Sequence, residues 1–292
     1  MTRFGAREIK ELLNDKGFRF SKHMGQNFLV DANIPDKIVR LSGIDSSCGV
    51  VEAGPGVGAL TEPLSRAAGR VLSVELDTRL LPVLNELFAG SSNVEIINKD
   101  ILKLDLAEVV KQNGSGLTWH VCSNLPYGIT TPALTAFINA GVFETITVMI
   151  QREVARRICS KPGSPEYGSF TVFVNYHNSE LQSLFDVPPE CFIPQPSVYS
   201  TVISLGKRDK RLLGPADEAL FFRVVRAAFG QRRKTLANAL SSSNALCDVN
   251  GKKPEKDEIE SIITSCGFDA RVRGETLGLN EFMRLSASLK LK

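Results

Sequence analysis

Short apolar runs alternate with amphipathic segments between about residue 50 and residue 150 of the chain. The runs are rich in Val and Ile, which is typical of buried strands, and the segments between them have apolar residues at helical spacing. Short strands that alternate with helices form a parallel sheet with helices on both faces. The pattern predicts strands at 50–54, 70–75, 94–98, 118–123 and 145–150, and helices at 58–68, 79–88, 106–112 and 132–140.

The second half of the chain has a mixed pattern. Two helices at 152–159 and 167–176 and a closing pair of strands at 181–187 and 199–205 are predicted, with a proline-stiffened loop between the strands. Gly206 and the charged run that follows it mark a domain boundary. Beyond the boundary, the pattern predicts helices at 217–229, 232–241, 256–266 and 275–289.

The first 33 residues are predicted to be an arm outside the sheet. Residues 6–16 have helical spacing and Gly17 ends that helix, whereas the stretch after it mixes aromatic, cationic and amide side chains. Such a mixture suits a loop that lies over a ligand, and a plain connector is the alternative. We therefore predict three parts, which are an arm (1–33), a main domain (34–206) and a small helical domain (207–292).

Composition narrows the class of protein. The chain has 292 residues, of which 43% are hydrophobic and 23% charged, an ordinary globular composition. Because no apolar run approaches the roughly 20 residues of a membrane span and the N-terminus lacks the apolar part of a secretory signal, a cytoplasmic protein is predicted. Six cysteines without a C-x-x-C pair and three scattered histidines argue against a metal site or a disulfide framework.

The charge distribution points to a polyanionic partner. The chain carries +3, but residues 207–253 contain eleven Lys/Arg and four Asp/Glu, a local balance of +7. Arg226 lies at the centre of this region, and Arg232, Arg233 and Lys234 fall at the predicted start of a helix, where cations are unfavourable for the helix dipole. We interpret these four residues as phosphate contacts to a nucleic acid, and a solvated helix face is the alternative.

A glycine-rich turn follows the first predicted strand, in the stretch Glu52-Ala-Gly-Pro-Gly-Val-Gly. Gly54 and Gly56 let the backbone approach a ligand closely, and Glu75, 21 residues after Gly54, is placed to bind ribose hydroxyls. Nicotinamide enzymes and methyltransferases that use S-adenosylmethionine (AdoMet) share this pattern. Because the acidic Glu52 suits a ligand with a cationic sulfonium and ammonium better than a pyrophosphate, AdoMet is favoured.

Two further strand ends carry polar residues that fit an adenine. Asp100 follows the third strand and is placed to accept from an adenine amino group, although a turn cap is an equal alternative. After the fourth strand, Asn124-Leu125-Pro126-Tyr127 offers an amide, a stiff backbone and a ring. The Asn124 side-chain oxygen and a nearby backbone carbonyl would hold the two protons of a base amine and direct its lone pair at the sulfonium methyl, while Tyr127 stacks on the base.

A base inside a helix cannot reach such a pocket, so it must be flipped out or taken from a loop. A second aromatic wall is therefore expected. Phe192, in the proline-stiffened loop, is the best candidate, and a core phenylalanine beneath that loop is the alternative.

These motifs together resemble the ribosomal RNA adenine dimethyltransferases, most closely their bacterial small-subunit branch of the KsgA (RsmA) type. The matching stretches cover almost the whole chain. They are Gly25-Gln-Asn-Phe-Leu, Glu52-Ala-Gly-Pro-Gly-Val-Gly-Ala-Leu-Thr, Glu75-Leu-Asp, Asn124-Leu-Pro-Tyr, Phe192-Ile-Pro-Gln-Pro-Ser-Val and Ala228-Phe-Gly-Gln-Arg-Arg-Lys-Thr-Leu.

The resemblance implies an α/β, Rossmann-like methyltransferase domain with a mostly parallel seven-stranded sheet, and a small C-terminal helical domain. It also implies dimethylation of two adjacent adenines in a hairpin loop near the 3′ end of small-subunit rRNA. The substrate would be an immature small ribosomal subunit. The protein is expected to be a monomer without a metal. AdoMet would be bound through Asn27, Leu29, Gly54, Glu75, Asp100 and Asn124.

Three alternatives remain at this stage. A large-subunit rRNA methyltransferase of the macrolide-resistance type shares the glycine and Asn124 motifs, although the long arm and the basic stretch 231–236 favour the small-subunit enzyme. A non-catalytic RNA-binding or assembly factor on the same fold is argued against by the intact Asn124 motif. A nicotinamide dehydrogenase is the third and poorest alternative.

Overall fold

The computed structural model describes residues 9, 11, 26–114, 116–246 and 253–289. The chain divides into two compact units, the first made of Met1–Ala155 with Glu180–Lys207, and the second of Arg156–Ser179 with Arg208–Lys292. Most of the predicted N-terminal helix at 6–16, and its end at Gly17, lie outside the described residues. Within the described residues, no helix is both long and apolar enough to cross a bilayer.

A seven-stranded sheet is the centre of the first unit, in the order β4-β3-β2-β5-β6-β9-β7. Neighbours among β2 to β6 pair in parallel, and β9 pairs antiparallel with β6. The strands are β1 (Phe28–Leu29), β2 (Cys48–Ala53), β3 (Arg70–Glu75), β4 (Val94–Asn98), β5 (Thr118–Asn124), β6 (Thr145–Gln151), β7 (Asn178–Val187), β8 (Phe192–Ile193) and β9 (Ser200–Lys207).

The burial pattern explains why the central strands are continuous apolar runs. Every residue of β2 is buried, as are all residues of β3 after the first, because helices cover both faces of a parallel sheet. The predicted fold, a Rossmann-like and mostly parallel seven-stranded sheet with C-terminal helices, is confirmed.

The helices of the first unit are short. They are α1 (Asn33–Ser42), α2 (Thr61–Ala67), α3 (Leu81–Phe88), α4 (Leu106–Asn113), α5 (Thr130–Ala140) and the start of α6 (Arg152–Ile158). The predicted helix at 79–88 is divided into a 3₁₀ turn (Thr78–Leu80) and α3, because Asp77 caps the turn by accepting from the Arg79 amide and Pro82 opens the α-helix.

A two-stranded ribbon joins the end of the predicted arm to the proline-rich loop. Strands β1 and β8 pair antiparallel, with Phe28 opposite Ile193 and Leu29 opposite Phe192, and the Val30 amide donates to the Cys191 carbonyl at 2.8 Å. The arm was predicted to have no strand here. The pairing is long-range, so the local pattern carries no signal for it.

The second unit is helical, with α7 (Ser169–His177), α8 (Pro215–Gly230), α9 (Leu236–Ser241), α10 (Lys256–Ser265) and α11 (Leu279–Ser288). Its core includes residues of α7 as well as the C-terminal helices, since Tyr176 stacks on Phe221 at 5.1 Å between ring centroids. Residues 156–179 therefore group with 208–292, whereas the predicted division assigned them to 34–206.

The basic stretch before α9 differs from its prediction. The helix begins at Leu236 instead of residue 232, because the Thr235 hydroxyl accepts from the Asn238 amide at 3.5 Å and caps it. Residues Arg232, Arg233 and Lys234 lie in the turn before the cap. The three cations therefore precede the helix, whereas the prediction placed them inside its first turn.

Candidate functional site

A cavity of ≈ 580 Å³ opens at the carboxyl ends of β2, β3, β4 and β5, where ligands of open α/β sheets bind. The segment before and within β1 forms another wall. Every predicted residue of the cofactor site and the Asn124 motif lines the cavity, namely Asn27, Leu29, Glu52, Gly54, Gly56, Glu75, Asp100, Asn124, Leu125, Pro126 and Tyr127.

Glu52 is a buried carboxylate on the cavity wall. It is 1% exposed, and its Oε2 accepts from the hydroxyls of Thr61 and Ser73, both at 2.7 Å. Burial raises the pKa of Glu52 from 4.5 to about 7, and the negative charge of Glu75 adds to the rise. Two hydroxyl donors carry no positive charge, so the ionised form of Glu52 is best compensated by a cation in the cavity.

Glu75 is held by backbone amides on both sides of its carboxylate. Its Oε2 accepts from Gly56 N at 3.2 Å and its Oε1 from Asp77 N at 2.8 Å. Burial nevertheless raises the pKa of Glu75, and the backbone hydrogen bonds oppose that rise. The side chain is thereby fixed at the end of β3 with an orientation toward the glycine turn.

The glycine turn depends on left-handed backbone at its three glycines, of which Gly54 and Gly56 line the cavity. Gly54 has φ 71° and Gly56 has φ 60°, a region that residues with a Cβ rarely adopt. A Cβ on Gly56 would lie 2.9 Å from Cδ1 of Phe28, and one on Gly54 would lie 3.3 Å from Cδ of Pro126. The absence of side chains here lets the turn sit against two other walls of the cavity.

Asp100 both caps a turn and lines the cavity. Its Oδ1 accepts from the Leu102 amide at 3.0 Å, which starts the 3₁₀ turn Ile101–Lys103, and its Oδ2 lies 3.8 Å from Lys103 Nζ. The two interpretations made from the sequence are therefore compatible, because one carboxylate has enough acceptor positions for both.

The Asn124 motif is anchored through its second residue. Leu125 is 1% exposed, and its amide donates to the Met149 carbonyl on the neighbouring strand at 3.1 Å. Asn124 Nδ2 donates to the Asn27 carbonyl at 3.5 Å, so the other end of the amide, Oδ1, is the acceptor. Tyr127 is half-buried, and its hydroxyl shares a 2.8 Å hydrogen bond with the hydroxyl of Ser200.

Phe192 is the one predicted member of the catalytic set that is not on the cavity wall. It is 2% exposed and belongs to the hydrophobic core with Phe28 and Leu29. The β1–β8 pairing directs this side of the loop inward. The structure therefore corrects the prediction of a second aromatic wall, and the alternative of a core phenylalanine matches what is observed.

The basic residues of the second unit differ in their surroundings. Arg226, Arg233 and Lys234 are exposed. Arg232 is exposed too, but it pairs with Glu275 at 3.2 Å and donates to the Pro165 carbonyl at 2.9 Å, so part of its role is to join segments of the helical unit.

Sequence reasoning missed the pair that ties the arm to the cavity. Gln26 Nε2 donates to Asp77 Oδ2 at 2.7 Å, and hydrogen bonds from the Arg79 side chain hold the pKa of Asp77 below its ordinary range. Gln26 lies in the stretch 25–29 and Asp77 in the stretch 75–77, both of which carry the family resemblance. Their contact joins positions 51 residues apart, so the sequence pattern does not indicate it.

Comparison with known proteins decides the family. The family model described as "Ribosomal RNA adenine dimethylase" matches residues 17–257 of the chain. The chain belongs to this family. It is 44% identical over 284 residues to the ribosomal RNA small subunit methyltransferase A of Bacillus mycoides (strain KBAB4). The aligned region covers 97% of this chain and 95% of that protein. The protein of the same name from Bacillus cereus (strain B4264) matches equally.

Two solved structures share the fold over most of the length. A dimethyladenosine transferase from Plasmodium falciparum has a TM-score of 0.72 and 26% identity, covering 88% of this chain and 95% of that one. The 23S rRNA methyltransferase ErmE has a TM-score of 0.68 and 25% identity, and the match covers 91% of this chain and 100% of the ErmE chain. The recognised family is thus confirmed, and the fold is shared with both of these solved structures.

Proposed function

We propose that this protein uses AdoMet to dimethylate N6 of two adjacent adenines in the 3′-terminal hairpin loop of small-subunit rRNA, during assembly of the small ribosomal subunit. One observation carries the chemistry. The Asn124 motif shares a single cavity with three carboxylates, Glu52, Glu75 and Asp100. The choice of rRNA rests on the 44% identity to small subunit methyltransferase A proteins, against 25% to ErmE.

The residues of the cavity fit AdoMet. Glu75 offers a carboxylate suited to ribose hydroxyls, Asp100 an acceptor for the adenine amine, and Glu52 a buried negative charge suited to a cation. When bound, AdoMet supplies a methyl group on a positively charged sulfur. The backbone of Asn27 and Leu29 would close the site from the arm, where Gln26 is already tied to Asp77.

The Asn124 motif would orient the adenine and leave proton removal to solvent. Asn124 Oδ1 accepts a hydrogen bond from the exocyclic amine, which favours a tetrahedral nitrogen whose lone pair points at the methyl group. Tyr127 stacks on the base. The buried side chain of Leu125 anchors the Asn124 motif between these two residues. Because the ring and amide must face the base itself, the adenine has to leave its helix or come from a loop.

Arg226, Arg233 and Lys234 are the cations that we assign to rRNA phosphates. All three are exposed, and exposed cations bind phosphate with salt-dependent affinity. Arg232 is a weaker candidate, since part of its hydrogen-bonding capacity is used by Glu275 and Pro165.

The decisive experiment is transfer of labelled methyl groups from AdoMet to small subunits that lack the modification, with the products mapped to nucleotides. Label on two adjacent adenines near the 3′ end is expected. Label in large-subunit rRNA alone would favour the macrolide-resistance type of enzyme, and binding to small subunits without transfer would favour a non-catalytic assembly factor.

The Asn124→Ala variant tests the catalytic assignment. Loss of an oriented acceptor is expected to lower kcat by about 10²–10³-fold, with a smaller change in AdoMet affinity measured by calorimetry. Asn139→Ala, an exposed asparagine on α5, is the matched control. Full methylation by Asn124→Ala would refute the role given to this residue.

A further inference from the structure

An exposed aromatic side chain lies just before β9, one residue ahead of a residue that contacts Tyr127. Val198 and Tyr199 are 36% and 40% exposed, which places them among the exposed large hydrophobic residues of the described chain. They immediately precede Ser200, which is fully buried and shares the hydrogen bond with the Tyr127 hydroxyl. Consecutive Cα atoms are about 3.8 Å apart, so the backbone of Tyr199 adjoins the residue that contacts Tyr127.

Tyr199 is held by Arg152, the first residue of α6. The guanidinium carbon lies 4.4 Å from the centroid of the Tyr199 ring, and the Arg152 amide donates to the Tyr199 carbonyl at 2.9 Å. A cation over a ring face is an attractive contact. The contact restrains both side chains without a partner, which lowers the entropy cost of binding.

The pair lies at the same edge of the sheet as the cavity. Asn124 is opposite Met149 in the parallel pair β5–β6. Arg152 follows Met149 by three residues, just past the carboxyl end of β6. At about 3.3 Å per residue, Arg152 is roughly 10 Å beyond the level of Asn124. A polymer whose base entered the cavity would pass this edge.

The chemistry of the pair fits a nucleotide. The ring offers a surface on which a base can stack, and Arg152 offers a charge and donors for a phosphate. Asp186 Oδ2 lies 3.8 Å from Arg152 with half-exposed side chains, and such a pair contributes little. Asp186 is also held by the Thr201 hydroxyl at 2.6 Å, so a phosphate can replace it at Arg152 without leaving the carboxylate unbonded.

We propose that Tyr199 and Arg152 form a stacking platform for an unpaired nucleotide that neighbours the target adenine. This platform rests on the function proposed above and names a second contact on the same substrate. Its occupant is single-stranded RNA, because a ring backed by a guanidinium is sequence-tolerant and matches the π-face and phosphate of any nucleotide.

The platform is tested by steady-state kinetics with unmodified small subunits as the varied substrate. Tyr199→Ala is expected to raise KM for the particle about tenfold, which corresponds to about 1.4 kcal/mol, with kcat and AdoMet affinity unchanged. Tyr199→Phe keeps the ring and is expected to restore the wild-type KM. Leu41→Ala, at a residue that is 43% exposed on α1, is the matched control and should leave KM unchanged.

A photoreactive phenylalanine analogue at position 199 identifies the occupant directly. The expected crosslink lies in the rRNA loop that carries the methylated adenines. A crosslink to a ribosomal protein, or an unchanged KM for Tyr199→Ala, would overturn the platform while leaving the methyl transfer intact. If the wild-type protein transfers no label to small subunits, the proposed function fails first and the platform fails with it.

Discussion

Replacing Glu52 by Gln is expected to remove a pH dependence from the folding stability of this protein. Glu52 is 1% exposed and accepts two hydroxyl hydrogen bonds through one oxygen. Gln keeps the shape and one acceptor oxygen but carries no charge, so it imitates the protonated acid. The variant thus isolates the cost of holding a negative charge in the wall of the cavity.

The sign and size follow from the pKa of Glu52, which burial raises from 4.5 to about 7. Between these values the folded state holds a proton that the unfolded chain has released, so stability falls as pH rises through the window. One tenfold change in a dissociation constant is about 1.4 kcal/mol, so the gap corresponds to about 3 kcal/mol. The contribution is fully present below pH 4.5 and is lost above about pH 7.

Urea unfolding of both proteins between about pH 5 and pH 8 measures the effect, because other titrating groups cancel in the difference. The Glu52→Gln variant should gain up to about 3 kcal/mol over the wild type toward the alkaline end. AdoMet affinity offers a second measurement. A cationic ligand favours ionised Glu52, so the affinity of the wild type should rise over the same range while that of the variant stays flat.

Parallel stability curves for the two proteins would contradict this reasoning, since Glu52 would then ionise alike in the folded and unfolded chains. Glu153→Gln, at an exposed position of α6, removes one carboxylate from the surface and is the control for the loss of charge alone.

Two more substitutions test the glycine turn and the basic region. Gly56→Ala places a Cβ on left-handed backbone with φ 60°, at 2.9 Å from the Phe28 ring. We expect the free energy of unfolding to fall by about 1–2 kcal/mol and calorimetry to show weaker AdoMet binding. Gly90→Ala, with open space around it, should change neither. Lys234→Ala should reduce the slope of log affinity for rRNA against log salt by about 1 in filter binding. Lys111→Ala, on the first unit, should leave that slope unchanged.

Local hydrophobic pattern was sufficient for the sheet. The bounds of β3 and β4 match their predictions residue for residue, because both are short runs rich in Val and Ile that end at turn residues. β3 is buried after its first residue, whereas β4, at the edge of the sheet, is only partly buried. The pattern was insufficient at the start of α9, where Thr235 caps the helix after the charged run. Helical spacing alone does not identify the cap, since cations are compatible with both the turn and the helix.

The sequence by itself determined which residues stand at the carboxyl ends of the strands. Parallel strands end at one edge, so Glu52, Glu75, Asp100 and Asn124 were expected to meet, and all four line the cavity. Only the tertiary structure decided which distant side chains touch them. Tyr127 and Ser200 are 73 residues apart, and their contact depends on the order and register of strands, which hydrophobic periodicity does not encode. The inward direction of Phe192 has the same origin, because it follows from the pairing of β1 with β8.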